Sequence, residues 1–146
     1  MFSTIVVGTD GSDTASAAVT LATELARANG ATLHIVSAYK DPATAVAVAH
    51  AGMVAVADEG LSAEDVHRAC QELLAEVATR AEGVPVELHA VAGAPAEVMV
   101  RVAEGVGADL IVVGSKGMHG ARRLIGSVPN SVAHKAPCHV LVAKTA

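Results

Sequence analysis

The feature that most restricts how this chain can fold is a repeated alternation between short, uniformly apolar runs and longer amphipathic stretches. Thr4-Ile5-Val6-Val7-Gly8-Thr9 opens the series, and an unbroken β-branched run of this length reads as a strand covered on both faces, as in a parallel sheet. After Asp10-Gly11-Ser12, residues Ala15, Ala18, Val19, Ala22, Leu25 and Ala26 recur at helical spacing until Asn29-Gly30, a helix stop signal. Thr32 to Tyr39 is a second buried strand. Ser62 to Gly83 carries the clearest helical stripe, Val66, Ala69, Cys70, Leu73, Leu74, Val77, Ala78 and Ala81, and Ser62 with Asp65 has the spacing of an N-terminal cap. Val84 to Val91 reads as strand three. Gly93-Ala94-Pro95 starts a helix reaching about Glu104, with proline in the first turn, where its missing N–H costs nothing. Ala108 to Val113 is strand four; a short helix after Ser127 and a last strand, His139 to Lys144, complete the series.

A β-α-β-α-β-α-β-α-β order predicts a doubly wound, Rossmann-like α/β domain: a five-stranded parallel sheet of order 3-2-1-4-5 with helices on both faces. Right-handed crossovers in such a sheet leave a ligand crevice beyond the carboxyl ends of the strands, where the winding reverses beside strand one. Two loops are expected to meet there, Thr9-Asp10-Gly11-Ser12 and the segment after Val113. The 146 residues fit a single domain, 1–146. Within it, Lys40 to Leu61 is Ala/Val-rich without a clean period and reads as a variable insertion with some helix or partial disorder. Its apolar residues fit a cover for a ligand, and equally an ordinary insertion packed on the second helix or on a partner chain.

Composition narrows the function classes. The net charge of −5, with no Lys/Arg stripe, removes the electrostatic basis of nucleic-acid binding, and the only aromatic residues are Phe2 and Tyr39, too few for a base-stacking surface. The N-terminus leads directly into a strand, with neither a signal-peptide pattern nor an apolar run long enough to span a membrane, so a cytoplasmic location is expected. Cys70 and Cys138 lie far apart and outside any CxxC pair, and read as reduced, buried small apolar residues.

The segment Gly114-Ser115-Lys116-Gly117-Met118-His119-Gly120-Ala121-Arg122-Arg123-Leu124-Ile125-Gly126-Ser127-Val128 runs from a predicted strand end to a predicted helix start. Glycines allow the backbone to approach a ligand closely, and the N–H groups of Gly126, Ser127 and Val128 would point out of the helix N-terminus, where hydrogen bonds and the helix dipole favour a phosphate. On spacing alone, a glycine-rich turn that binds nothing fits equally well. Lys116, Arg122 and Arg123 would supply counter-charge to a phosphate or form a solvated basic patch.

Taken together, Val7-Gly8-Thr9-Asp10-Gly11-Ser12, Val112-Val113-Gly114-Ser115-Lys116-Gly117, Gly126-Ser127-Val128-Pro129-Asn130-Ser131-Val132 and the closing Val140-Leu141-Val142 closely resemble the universal stress protein family, over the whole chain except 40–61. In the ATP-binding branch of that family the motif is Gly, two residues, Gly, nine residues, Gly, then Ser or Thr. Gly114, Gly117, Gly126 and Ser127 match it, with eight residues rather than nine between the second and third glycines. The resemblance implies ATP, with Mg2+ or without, as ligand and cyclic AMP as the alternative, since some bacterial members of the family favour it and the shorter loop suits one phosphate better than three. It also assigns Gly8, Thr9 and Asp10 to positions beside the nucleotide, and Ala38 and Val113 to positions bordering the adenine. The Asp10 carboxylate repels phosphate, so a ribose hydroxyl or a bound cation is its natural partner; a turn or N-cap carboxylate for the first helix is the other reading.

No Gly-x-x-x-x-Gly-Lys-Ser/Thr sequence occurs, so the lysine that clamps transferred phosphates in P-loop enzymes has no counterpart. Gly-x-Ser-x-Gly is absent too, and no Gly-x-Gly-x-x-Gly follows strand one, against hydrolase and dinucleotide readings. A binding and regulatory module is therefore favoured over an enzyme, the enzymatic alternative being a slow ATPase or autophosphorylating protein with Ser127 or Ser131 near the terminal phosphate. Of seven histidines, His67 lies three residues before Cys70, but two ligands make a weak metal site and Cys70 falls on the buried stripe. The last strand would leave an apolar edge through Val140, Leu141, Val142 and Ala143, and the resemblance implies that it pairs with its copy in a homodimer.

Overall fold

A computed structural model of the chain describes residues 1–42, 62–115 and 127–144. Within them lie β1 (Thr4–Gly8), α1 (Asp13–Asn29), β2 (Thr32–Tyr39), α2 (Ala63–Ala78), β3 (Val86–Ala92), α3 (Pro95–Val106), β4 (Leu110–Gly114), α4 (Ser127–Lys135) and β5 (His139–Ala143). All pairings are parallel and the strand order is β3-β2-β1-β4-β5, as the alternation of elements predicts.

The period-two alternation of each strand divides the core between two faces. Ile5, Val7, Leu33, Ile35, Leu110 and Val112 point to one side, where Ala18, Val19, Ala22 and Ala26 of α1 and Cys70, Leu74 and Val77 of α2 cover them. Val6, Val36, Ile111 and Val113 point to the other, against Ala96, Val98, Met99 and Ala103 of α3 and Val132 of α4. The small residues of α1 let that helix lie close to β1 and β4. Ile5, Val6 and Val7 are wholly buried, as expected for a central strand between two helical layers.

Helix ends follow the sequence signals. Ser12 caps α1, its Oγ accepting from Ala15 N at 3.2 Å, and Gly30 closes the helix in the left-handed conformation. Ser62 and Asp65 form a reciprocal capping box on α2: Asp65 N donates to Ser62 Oγ at 3.1 Å and Ser62 N to Asp65 Oδ2 at 3.2 Å. The Ser62 hydroxyl, donating to Asp65 Oδ2 at 2.9 Å, and behind it the Ser62 N–H hold the Asp65 carboxyl below its ordinary pKa.

Several boundaries differ from the sequence expectation. The helix expected through Gly83 stops at Ala78, and turns through Ala81 carry the chain to Gly83 instead. Strand three starts at Val86 rather than Val84, because Pro85 has no N–H and contributes only its carbonyl, which accepts from Leu33 N. Strand four starts at Leu110, since Ala108 N still closes the end of α3 on Ala103 O. Ala69 is exposed, on the edge of the helical stripe rather than inside it, and Cys138 is half-buried rather than buried, because it follows α4 at the end of the sheet. Both cysteines are free thiols. Burial and, behind it, the nearby Asp109 carboxylate push the Cys138 thiol up from its ordinary pKa. Among the described residues no helix is long and apolar enough to cross a membrane.

Candidate functional site

The winding reverses between β1 and β4, and a crevice of about 440 Å3 opens at their carboxyl ends. The β1–α1 loop forms one wall. Thr9 N continues the sheet ladder to Val36 O at 2.9 Å, and Thr9 Oγ1 accepts from Gly11 N at 3.1 Å. Asp10 Oδ1 accepts from Ser12 N at 2.9 Å, so this carboxylate both orders the turn before α1 and borders the crevice. The turn requires Gly11: its φ is +81°, and a Cβ there would sit 2.5 Å from Leu73 Cδ1 of α2.

The floor is made of strand ends, Gly8, Val36, Ala38, Val113 and Gly114, and the opposite wall of α3 and α4 through Pro95, Met99, Ser127, Val128 and Pro129. Gly8 lets α3 come close, since a Cβ on it would lie 2.6 Å from Met99 Sδ. Ser127 and Val128 open α4, with Pro129 in its first turn, so the N-terminal end of this helix, whose first-turn N–H groups have no acceptor within the helix itself, adjoins the crevice.

The structure thus brings Gly8, Thr9, Asp10, Ala38, Val113, Gly114, Ser127 and Val128, all singled out from the sequence, around one cavity. Lys116, Gly117 and Gly126, with His119, Arg122 and Arg123, lie outside the described residues, as do residues 43–61 of the insertion. Thr14, Val36, Pro95, Met99 and Pro129 also line the crevice without having been anticipated. Met99 sits on the apolar stripe of α3, and only the packing angle of that helix shows that its thioether faces Gly8. Chemically the cavity joins an apolar slot, Val36, Ala38, Met99 and Val113, to a polar rim of Thr9, Asp10, Thr14 and Ser127. Such a volume and lining suit a small organic ligand with one polar end.

The two residues considered for a metal from their helical spacing have other partners. His67 Nδ1 lies 2.8 Å from the Tyr39 hydroxyl, and the Cys70 thiol donates to Ser37 O at 3.6 Å. β5 pairs with β4 alone among the described residues; Leu141 and Ala143 face the α1 side of the sheet and Val140 and Val142 the α3 side.

Comparison with known proteins gives this geometry a context. The universal stress protein family model matches residues 1–144. Universal stress protein Rv1636 of Mycobacterium tuberculosis is 37% identical over 148 residues, covering 99% of this chain and 97% of that protein. A universal stress protein of Thermus aquaticus is 34% identical, covering 99% and 100%. Among solved structures, a universal stress protein in complex with cAMP superposes with a TM-score of 0.75 at 34% identity, over 99% of this chain and 98% of the other. The universal stress protein of Archaeoglobus fulgidus in complex with dAMP gives 0.66 at 27% identity, over 96% of each. With the Rossmann-like sheet, the crevice at its switch point and relatives matched end to end, the chain belongs to the universal stress protein family.

Proposed function

We propose that the chain is an adenine-nucleotide-binding regulatory module of one domain, 1–146, with ATP held in the crevice at the carboxyl ends of β1 and β4. The observation that carries this reading is the convergence of Asp10, the Val113-Gly114 strand end and the first turn of α4 on a single cavity of about 440 Å3. In it, the N–H groups of Ser127 and Val128 and the Ser127 hydroxyl bind phosphate, with Gly114, Lys116, Gly117 and Gly126 supplying the rest of the phosphate loop. Asp10 takes a ribose hydroxyl or Mg2+, beside Gly8 and Thr9. Ala38 and Val113 flank the adenine, with Val36 and Met99 beside them.

Cyclic AMP is the second reading. Two relatives of the same fold were solved with cAMP and dAMP, each carrying a single phosphate, and the loop between Gly117 and Gly126 is one residue shorter than the ATP-binding pattern. Without a P-loop lysine the module works by occupancy, ligand binding altering conformation or partner choice. The expected setting is the cytoplasm, as a homodimer paired through Val140, Leu141, Val142 and Ala143 of β5, which light scattering checks.

Calorimetric titration with ATP, ADP, AMP and cyclic AMP, alongside thermal melts, tests the ligand. A nucleotide at 100 times its Kd adds about 2.7 kcal/mol to stability, and Asp10→Ala should weaken the binding. Absence of any thermal shift with all four at millimolar concentration overturns the proposal. Steady phosphate release abolished by Ser127→Ala would replace it with the ATPase reading.

A further inference from the structure

A second constellation lies on the edge half of the sheet. In the β2–β3 register His34 is paired with Glu87 and Val36 with His89, so alternation puts His34, Glu87 and His89 on one face, the face of Val6 and Val36. His34 Nδ1 lies 2.9 Å from His89 Nε2 and 3.3 Å from Glu87 Oε2, and the three potential ligand atoms all fall within 4.8 Å of one another. The imidazole rings are tilted by 31° with centroids 5.2 Å apart. His34 forms the buried base, its side chain 6% exposed; His89 is half-buried, and the Glu87 side chain, 63% exposed, leaves the outer side open to water.

Without a cation at the centre, His34 Nδ1 cannot both accept a proton from His89 Nε2 and donate one to Glu87, and as a donor it has a single proton for two acceptors. A metal ion would use all three groups at once. We propose that His34, Glu87 and His89 form a zinc site of the two-histidine, one-carboxylate class, with water in the fourth, solvent-facing position.

Nitrogen and carboxylate donors suit zinc, whereas magnesium and calcium take oxygen ligands. Tetrahedral zinc bonds of about 2.0–2.1 Å set neighbouring ligand atoms about 3.3–3.4 Å apart. The His34–Glu87 separation already fits. The His34–His89 pair has to open by about 0.4 Å to reach that spacing, a small side-chain adjustment for a half-buried residue on an edge strand.

None of the three residues lines the nucleotide crevice. His34 precedes the crevice residue Val36 by two positions, about 7 Å along the strand. Zinc bound here cross-links β2 to the edge strand β3, and its binding does not depend on the nucleotide reading.

The test uses the full chain, stripped with a chelator and titrated with zinc alone. One zinc per chain is expected, with a rise in melting temperature and shifts of the His34 and His89 ring-nitrogen resonances. His89→Ala should weaken binding more than about 100-fold and Glu87→Gln about 10-fold or more, while His67→Ala leaves it unchanged. Both variants alter groups outside the packed core, and circular dichroism verifies their folding. No uptake at micromolar zinc, or wild-type affinity in both variants, overturns the assignment. Nucleotide titration of the zinc-free chain should be unaffected either way.

Discussion

Gly11→Ala should destabilise the fold by about 2–3 kcal/mol through two separable effects. At φ +81° the backbone of Gly11 occupies the left-handed region, which costs an L-residue about 1–2 kcal/mol. The added methyl would also lie 2.5 Å from Leu73 Cδ1 and 3.3 Å from Leu73 Cγ, so the Leu73 side chain or the loop has to shift, an overpacking cost of about 1–3 kcal/mol. Reduced freedom of the unfolded chain offsets about 0.4–1 kcal/mol. Urea unfolding should show a lower midpoint at unchanged slope, and the melting temperature should fall by about 5–10 °C. A double-mutant cycle separates the effects: in a Leu73→Ala background the steric part disappears and about 1–2 kcal/mol of backbone strain remains. Gly11→Ala within about 0.5 kcal/mol of wild type would show that the β1–α1 loop is not held as described, and with it the placement of Asp10 in the crevice wall.

Two further outcomes test the scaffold. Asp109 ties the start of β4 to the N-terminus, accepting from Ser3 N at 2.8 Å, Ser3 Oγ at 2.9 Å and Thr4 N at 3.2 Å. Partial burial raises its pKa, but these hydrogen bonds outweigh it and hold the carboxyl below its ordinary value. The unfolded chain therefore binds the proton more tightly. The stabilisation is complete above the ordinary carboxylate pKa of about 4 and is lost as pH falls through the lower folded value. Asp109→Asn should cost about 1 kcal/mol at neutral pH and flatten the loss of stability below about pH 4; denaturation curves with equal acid slopes in the two proteins would contradict this. Leu74→Ala empties a site 1% exposed between α2 and the sheet and should cost about 3 kcal/mol, read from the urea midpoint; a loss under about 1 kcal/mol would mean that α2 does not depend on this contact.

The sequence by itself determined the elements and their order, because those depend on local periodicity. Thr4 to Gly8 could hardly be anything but a buried strand, and Ser62 with Asp65 and Asn29 with Gly30 announced helix ends that the structure keeps. Alternation of strand and helix then left few topologies, which is why the crevice at the ends of β1 and β4 was foreseeable and why residues as distant as Asp10 and Ser127 could be assigned to its rim.

What needed the tertiary structure was everything set by register and packing angle. Pro85 delays β3, and Met99 meets Gly8 only because α3 lies across the sheet at one particular angle. His34 and His89 are 55 residues apart, and nothing in the local pattern of either predicts the other. A shift of one residue between β2 and β3 would turn Glu87 and His89 to the opposite face and dissolve the cluster. Local sequence fixes which residues alternate along each strand; the register of the folded sheet decides which of them meet.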